Sequence, residues 1–313
     1  MKITQQTFGR FKEYVLENPL TNEKVQILPE LGGIIHQLSL HNTTGVHKVI
    51  NCGNTQEELL ASLLSYPSTH LFPWANRVKS GKYSFEGKEY QLPLNEVLLQ
   101  NALHGFVYFS VFQVIETNTD AQKASLTIQY VYKGGYVGYP FPFQLNIQHT
   151  LSSKGLELHY QITNIGDSNL PISLGWHPYF SIEGETKNDW QVKFLSTHEY
   201  LLDAQMCPVD RLEKSYKNGF DLDGQTIDAV FAVEQHPIVE AVLSSKKQAL
   251  NIHVWQEAAQ QQFNYTVVYT PDTGNSIAIE PMTAPTNALN STENLRVIAP
   301  QNTYSVRCGV YLS

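Results

Sequence analysis

Four short stretches of this 313-residue chain set ionisable side chains beside aromatic or turn-forming residues. Leu71-Phe72-Pro73-Trp74-Ala75-Asn76-Arg77 ends on an arginine, whose planar fork can hold sugar hydroxyls. Asn101-Ala102-Leu103-His104-Gly105 places a histidine before a glycine, where a ligand can come close to the backbone. Gly175-Trp176-His177-Pro178-Tyr179-Phe180 holds a histidine among aromatic rings, with a proline fixing the turn. In Ala278-Ile279-Glu280-Pro281-Met282, Glu280 interrupts the apolar alternation of Ile277 and Ile279, so it belongs on the strand's other face or at its mouth. Taken singly, each has an ordinary structural explanation, such as a surface ion pair for Arg77. Together they offer a carboxylate, two imidazoles and a guanidinium, a set suited to general acid–base chemistry with charge stabilisation close by.

The elements that must position these groups are strands. Leu126, Ile128, Tyr130 and Tyr132 alternate with Thr127 and Gln129. The same period of two runs through 143–151 and 156–163, then through Phe263, Tyr265, Val267 and Tyr269, and finally Val306, Cys308, Val310 and Leu312. Each run predicts a half-buried strand with one wet face. Glu86-Gly87-Lys88 between Tyr83–Phe85 and Tyr90–Leu92 reads as a hairpin, and Ser152–Gly155 is a second short connection. Loops this short join antiparallel neighbours. One helix is expected over 55–65, from the capping box of Thr55 and Glu58 and the stripe Leu59, Leu60, Leu63 and Leu64. No linker, repeat or charge block divides the chain. The expected architecture is all-β: a large antiparallel β-sandwich over residues 1–313 as a single domain, with few short helices.

Composition narrows the classes of function. A chain of this length with 42% hydrophobic residues can bury about three-quarters of its unfolded surface. The formal charge of −8 and the scattering of Arg10, Arg77, Arg211, Arg296 and Arg307 argue against a nucleic-acid partner. Seventeen tyrosines and fourteen phenylalanines suit a β-rich core, and they also suit stacking on sugar rings. Cys52, Cys207 and Cys308 are too few and too far apart for a disulfide framework or a metal motif. No apolar stretch approaches a membrane span, and the amino terminus lacks a signal-peptide pattern, so a cytoplasmic protein is expected. G-x-S-x-G, GxGxxG, P-loop and H-E-x-x-H motifs are all missing. His149 falls on an apolar strand face and reads as a satisfied core histidine; His159 falls on a polar face and reads as solvated.

Several motifs together resemble the aldose 1-epimerase (galactose mutarotase-like) family. They are Leu28-Pro29-Glu30-Leu31-Gly32-Gly33, Phe72–Arg77, the hairpin Gly81–Leu94 with Asn95, Asn101–Gly105, Trp176–Phe180 and Ile279–Pro285, in the family's order over nearly the whole chain. The resemblance implies an open sugar cleft and no cofactor or metal in the chemistry. It implies Glu280 as general base and His177 as general acid. Arg77 and His104 would hold the sugar's oxygens, with Asn76 beside them, and Asp228 in Ile227-Asp228-Ala229-Val230-Phe231 would be a further acidic sugar contact. Two departures leave the aldose open: Phe106 follows Gly105 where galactose mutarotases often have glycine, and Pro281-Met282-Thr283 replaces a Thr-Gln-containing run.

Anomer exchange requires a proton to leave the C1 hydroxyl and another to reach the ring oxygen. The opened aldehyde turns about C1–C2 and closes on its other face, with acid and base exchanging roles. A sugar-sized gap between Glu280 and His177 is therefore expected, with the ring lying between them. The expected partner is a small-molecule sugar, met by a monomer or a homodimer. The alternatives are a hexose-6-phosphate 1-epimerase, a glycosidase using Glu280 with Asp228, and a non-catalytic carbohydrate-binding protein.

Overall fold

The computed structural model describes residues 1–313. Strands pair antiparallel throughout, and the one parallel contact is an isolated bridge between Phe72 and Gly105. A nine-stranded sheet carries Gln113–Thr119, Lys123–Tyr132, Phe143–Ser152, Gly155–Asn164 and Thr303–Leu312 in adjacent positions. An eight-stranded sheet runs through Asp228–Val233, Tyr265–Tyr269, Ile277–Met282, Gly175–His177 and Thr69–Leu71. Residues 2–51 form a five-stranded meander. Between the sheets lies a cluster of 63 buried apolar residues, with members from Phe11 to Val310. The inward sides of the alternating runs enter it as expected: Leu126 pairs with His149, Ile128 with Ile147, and Leu158 with Cys308.

Turns follow the local chemistry. The hairpin tip is tighter than expected, because Phe85 pairs directly with Lys88. Glu86 and Gly87 then form a two-residue turn with φ of 49° and 75°. Thr55 caps the helix Gln56–Ser62, accepting from the Glu58 amide at 3.2 Å. The carboxylate of Glu58 returns to the amide of Asn54, so the capping box closes one residue early. The apolar stripe also fails beyond Ser62, where the chain tightens into a 3₁₀ turn and leaves Leu64 exposed. His149 is in the core, but both of its ring nitrogens lack hydrogen-bond partners, so it is buried without being satisfied.

The expectation of one wet face fails where it matters most. Tyr265–Tyr269 and Ile277–Met282 are covered on both sides. Their inward residues Val268, Ile277 and Ile279 join the main core, while Tyr265, Val267 and Met282 form a second cluster with Leu71, Ala75, Tyr200 and Val230. Phe263 precedes the strand and packs in the main core, apart from Tyr265 and Val267. Loops roof this outer face and make a cleft of it.

One roof contact depends on glycine. Gly105 has a φ of 71°, and a Cβ there would stand 2.0 Å from the Phe72 carbonyl oxygen. That oxygen accepts from the amides of Phe106 and Val107 at 3.0 and 3.2 Å. The close approach at Gly105 is thus the chain's own backbone and not a ligand's. At Gly87, φ is also positive but a Cβ meets nothing within 4 Å. Gly87→Ala should therefore cost about 1–2 kcal/mol of backbone strain. Gly105→Ala, with strain and clash combined, should cost more than about 2 kcal/mol. Urea unfolding midpoints of the two variants check the order.

Candidate active site

The floor of the cleft is set by strand register. Gly175 pairs with Met282 and Tyr179 with Ala278, which sets His177 opposite Glu280 between them. Val267 pairs with Glu280 on the other side, and His177 pairs with Thr69. Neighbours in such a row have Cβ atoms about 5 Å apart and share one face of the sheet. Glu280 therefore occupies the face opposite Ile277 and Ile279, as the interrupted alternation predicts.

The predicted gap between acid and base is not there. His177 Nε2 stands 3.5 Å from Glu280 Oε1, with the side chains 8% and 2% exposed. The contact follows from the register, because facing side chains of adjacent strands start about 5 Å apart. Glu280 Oε2 and His177 Nδ1 have no hydrogen-bond partner.

The wall comes from two loops joined by a short ladder. Arg77 pairs with Leu103 at the end of the strands Arg77–Lys79 and Asn101–Leu103. Just beyond, the His104 amide donates to the Asn76 carbonyl at 3.0 Å, and the Asn76 amide donates to His104 Nδ1 at 3.3 Å. Both residues have positive φ, 60° and 63°. Such backbone conformations in residues other than glycine often mark functional sites. With Nδ1 accepting, the proton of neutral His104 sits on Nε2. The His104 ring meets the His177 ring edge-on at 5.4 Å.

Arg77 is held by a residue that no sequence motif picked out. Glu96 accepts from Arg77 Nε at 3.0 Å with each carboxylate oxygen, and from the guanidinium NH2 group at 2.9 Å. Asn101 also donates to Glu96, at 2.8 Å. Asn76 Oδ1 accepts from the Arg77 NH1 group at 3.3 Å, so its carboxamide oxygen serves the arginine. The ion pair that was the alternative reading of Arg77 is thus present, with Glu96 as its partner. Tyr66, also unsignalled, packs its ring 4.6 Å from that of His104. Asp228 pairs with Tyr269 at the start of its strand and remains exposed at the cleft's edge. The fold thus brings the six residues singled out from the sequence near one another. No three His, Cys, Asp or Glu side chains converge in a form that could hold a metal ion.

Burial reverses the usual order of the two proton affinities. It pushes Glu280 well above the normal carboxylate range, with the charge of Asp228 adding to the effect and Arg77 opposing it. It pushes His177 down to about 4. His104 is lowered too, first by burial and then by His177 and Arg77. Burial thus favours the neutral form of both groups, with a proton on the carboxyl side.

The family model for aldose 1-epimerase matches residues 12–311. The chain belongs to the aldose 1-epimerase family. The Escherichia coli K12 protein YihR is 26% identical over 249 residues, which is 77% of each chain. Rat galactose mutarotase is 28% identical over 137 residues, 44% of this chain and 37% of that one. Among solved structures, a galactose mutarotase-like protein from Clostridium acetobutylicum superposes with a TM-score of 0.88 at 21% identity, covering 100% of this chain and 98% of that one. Galactose 1-epimerase from Lactobacillus acidophilus gives 0.82 at 17%, covering 100% and 99%. These likenesses establish the fold as galactose mutarotase-like. No helix is long and apolar enough to cross a membrane.

The histidines give a test free of any substrate. ¹⁵N NMR of the imidazoles should show His104 as the Nε2–H tautomer at pH 7. His177 should stay neutral until pH falls to about 4, instead of titrating at the ordinary histidine value of about 6.5. Ordinary titration of His177 would show that burial does not control this site.

Proposed function

We propose that the protein is an aldose 1-epimerase that interconverts the α and β anomers of an unphosphorylated aldose. The observation that carries this reading is the buried contact of His177 with Glu280 on the cleft floor, beside Arg77 and His104. In a cyclic aldose the C1 hydroxyl and the ring oxygen are bonded to one carbon. Adjacent acid and base can therefore reach both oxygens from the same side.

A sugar entering the cleft offers hydroxyl donors to Glu280, which stabilise its carboxylate and let the shared proton lie on His177. Glu280 then takes the C1 hydroxyl proton while His177 protonates the ring oxygen, and the C1–O bond to the ring opens. The aldehyde turns and closes on its other face, His177 recovering the proton from the C5 hydroxyl as Glu280 returns one to O1. His104 Nε2–H and the Arg77 guanidinium donate to oxygens that gain charge, and Asp228 and Asn76 border the rest of the ring.

Phosphorylated sugars fit poorly. Arg77 is already paired with Glu96, and Lys79 with Asp203 at 2.5 Å. No unpaired cation is thus left beside Glu280 and His177 to meet a phosphate.

Polarimetry of freshly dissolved α-glucose, α-galactose and glucose 6-phosphate tests the activity, with the last expected to be the poorest. Glu280→Gln and His177→Asn should each lose about 10²–10⁴-fold in kcat, while sugar binding followed by NMR persists. An active Glu280→Gln enzyme would remove the mechanism.

The pH dependence follows from the proton count. The working pair carries one proton. As pH falls through about 4, His177 gains a second; as pH rises through the elevated Glu280 value, the last is lost. A bell-shaped kcat/KM profile should result, with its acid limb near pH 4. A limb near 6.5 would contradict the buried pair. Arg77→Ala should lower kcat/KM by the equivalent of roughly 1.5–3 kcal/mol. Glu96→Ala should raise KM in the same direction by a smaller factor, because it loosens Arg77 without removing it.

A further inference from the structure

The opposite side of the sandwich carries a cavity of about 650 Å³, a volume typical of ligand sites. It opens on the outer face of the nine-stranded sheet, so the main core separates it from Glu280 and His177. Two rows of residues cross it in strand register. One runs through Thr150, Glu157, Gly309 and Trp255. The other runs through Lys123, Ser152 and Gly155, with Tyr311 against Gly155. A glycine in each row leaves the middle of the face hollow. A Cβ on Gly309 would stand 2.6 Å from Trp255 Nε1, so the indole lies across that glycine.

The chemistry changes along these rows. At one end Tyr311 is held by its hydroxyl, which donates to Glu240 at 2.9 Å, and by its ring, stacked on His253 at 4.4 Å. Trp255 is only partly covered there, whereas Trp74, Trp176 and Trp190 are buried. Glu157 stands in the middle, 3.8 Å from Arg307 Nε. Lys123 and Lys154 are exposed at the far end, beside the turn Ser152–Gly155. The lysine salt bridges of the chain all lie elsewhere. Asp120, in the turn before Lys123, directs Oδ1 to the backbone amides of Gln122 and Lys123. From Tyr311 to Lys123 is three strand spacings, about 14 Å.

An accessible indole takes the face of a flat base. A carboxylate can accept from a ribose diol, and two unpaired lysines suit a phosphate group. A bare anion would leave Trp255 and Tyr311 uncovered, and a neutral ring would leave both lysines without a partner. We infer that this cavity binds a nucleoside phosphate. The base lies on Trp255, the ribose faces Glu157, and the phosphates lie between Lys123 and Lys154. The site is apart from the cleft and does not depend on the epimerase reading.

The test is calorimetric titration with ADP, adenosine, pyrophosphate and glucose 6-phosphate, joined by tryptophan fluorescence. ADP should bind at least about tenfold more tightly than each of the other three, because only it engages both ends of the cavity. Its binding should quench the Trp255 emission saturably, and that quenching should vanish in Trp255→Phe while the affinity persists. Trp255→Ala should weaken ADP about tenfold, as loss of one stacked base implies. Replacing Lys123 and Lys154 together by alanine should weaken ADP about tenfold or more and change adenosine less than about twofold. Circular dichroism melts confirm that each variant is folded, and the exposed lysine pair tests the site even if Trp255→Ala does not fold. The proposal is overturned if ADP shows no saturable binding at millimolar concentration. It is equally overturned if pyrophosphate or glucose 6-phosphate matches ADP, or if the lysine variant binds ADP like the wild type.

Discussion

The pairing of Gly175–His177 with Ile277–Met282 governs both the core and the cleft. In that register Ile277 and Ile279 point into the main cluster, while Glu280 and His177 meet on the opposite face. A slip of one residue in either strand would exchange its two faces. It would force a carboxyl among the packed aliphatics or turn isoleucines into the cleft. Burial of the isoleucines thus fixes the position of the acid–base pair. Neither group needs a dedicated hydrogen bond to hold it, which leaves Glu280 Oε2 and His177 Nδ1 unpaired.

The same burial sets the electrostatics. Two groups this close would form an ion pair in water, yet desolvation favours the neutral form of each. The proton is therefore favoured on Glu280 and disfavoured on His177.

Much of this was legible in the chain. Period-two alternation gave the strands and their inward sides, and the interruption at Glu280 gave the face of the carboxylate. The motifs singled out six residues that the fold brings near one another. What stayed hidden depends on contacts between distant segments. Glu96 lies in an unremarkable loop, and its grip on Arg77 exists only because Asn101 folds back beside it. Tyr66 is set by a left-handed turn after the helix, with no local signal for what its ring would meet. The sugar-sized gap was a wrong expectation because the sequence does not reveal that the two motif strands are direct neighbours. The wet outer face was wrong for a similar reason: alternation within a strand says nothing about loops that cover it.

Floor and wall are built by different means, and the distinction bears on the two departures from the family's motifs. Asn76 and His104 stand on the wall, held by their mutual backbone contacts and by left-handed conformations. Phe106, two residues on, turns away from it. Its ring is 2% exposed and stacks on Tyr136 at 4.4 Å, within a group that includes Trp74 and Tyr139. The large side chain there fills the core behind the wall and adds nothing to the cleft surface. Met282 is different. It shares Glu280's side of the strand, in the row of Tyr265, Gly175 and Leu71, within the cluster that closes one end of the floor. Of the two departures, it is the one on Glu280's face of the strand. Along the strand, Glu280 thus has apolar packing at Met282 on one side and the Tyr179–Tyr269 row on the other. Differences in the aldose accepted should arise along this strand, where side chains alternate into the cleft at fixed spacing, and not at the loop behind His104.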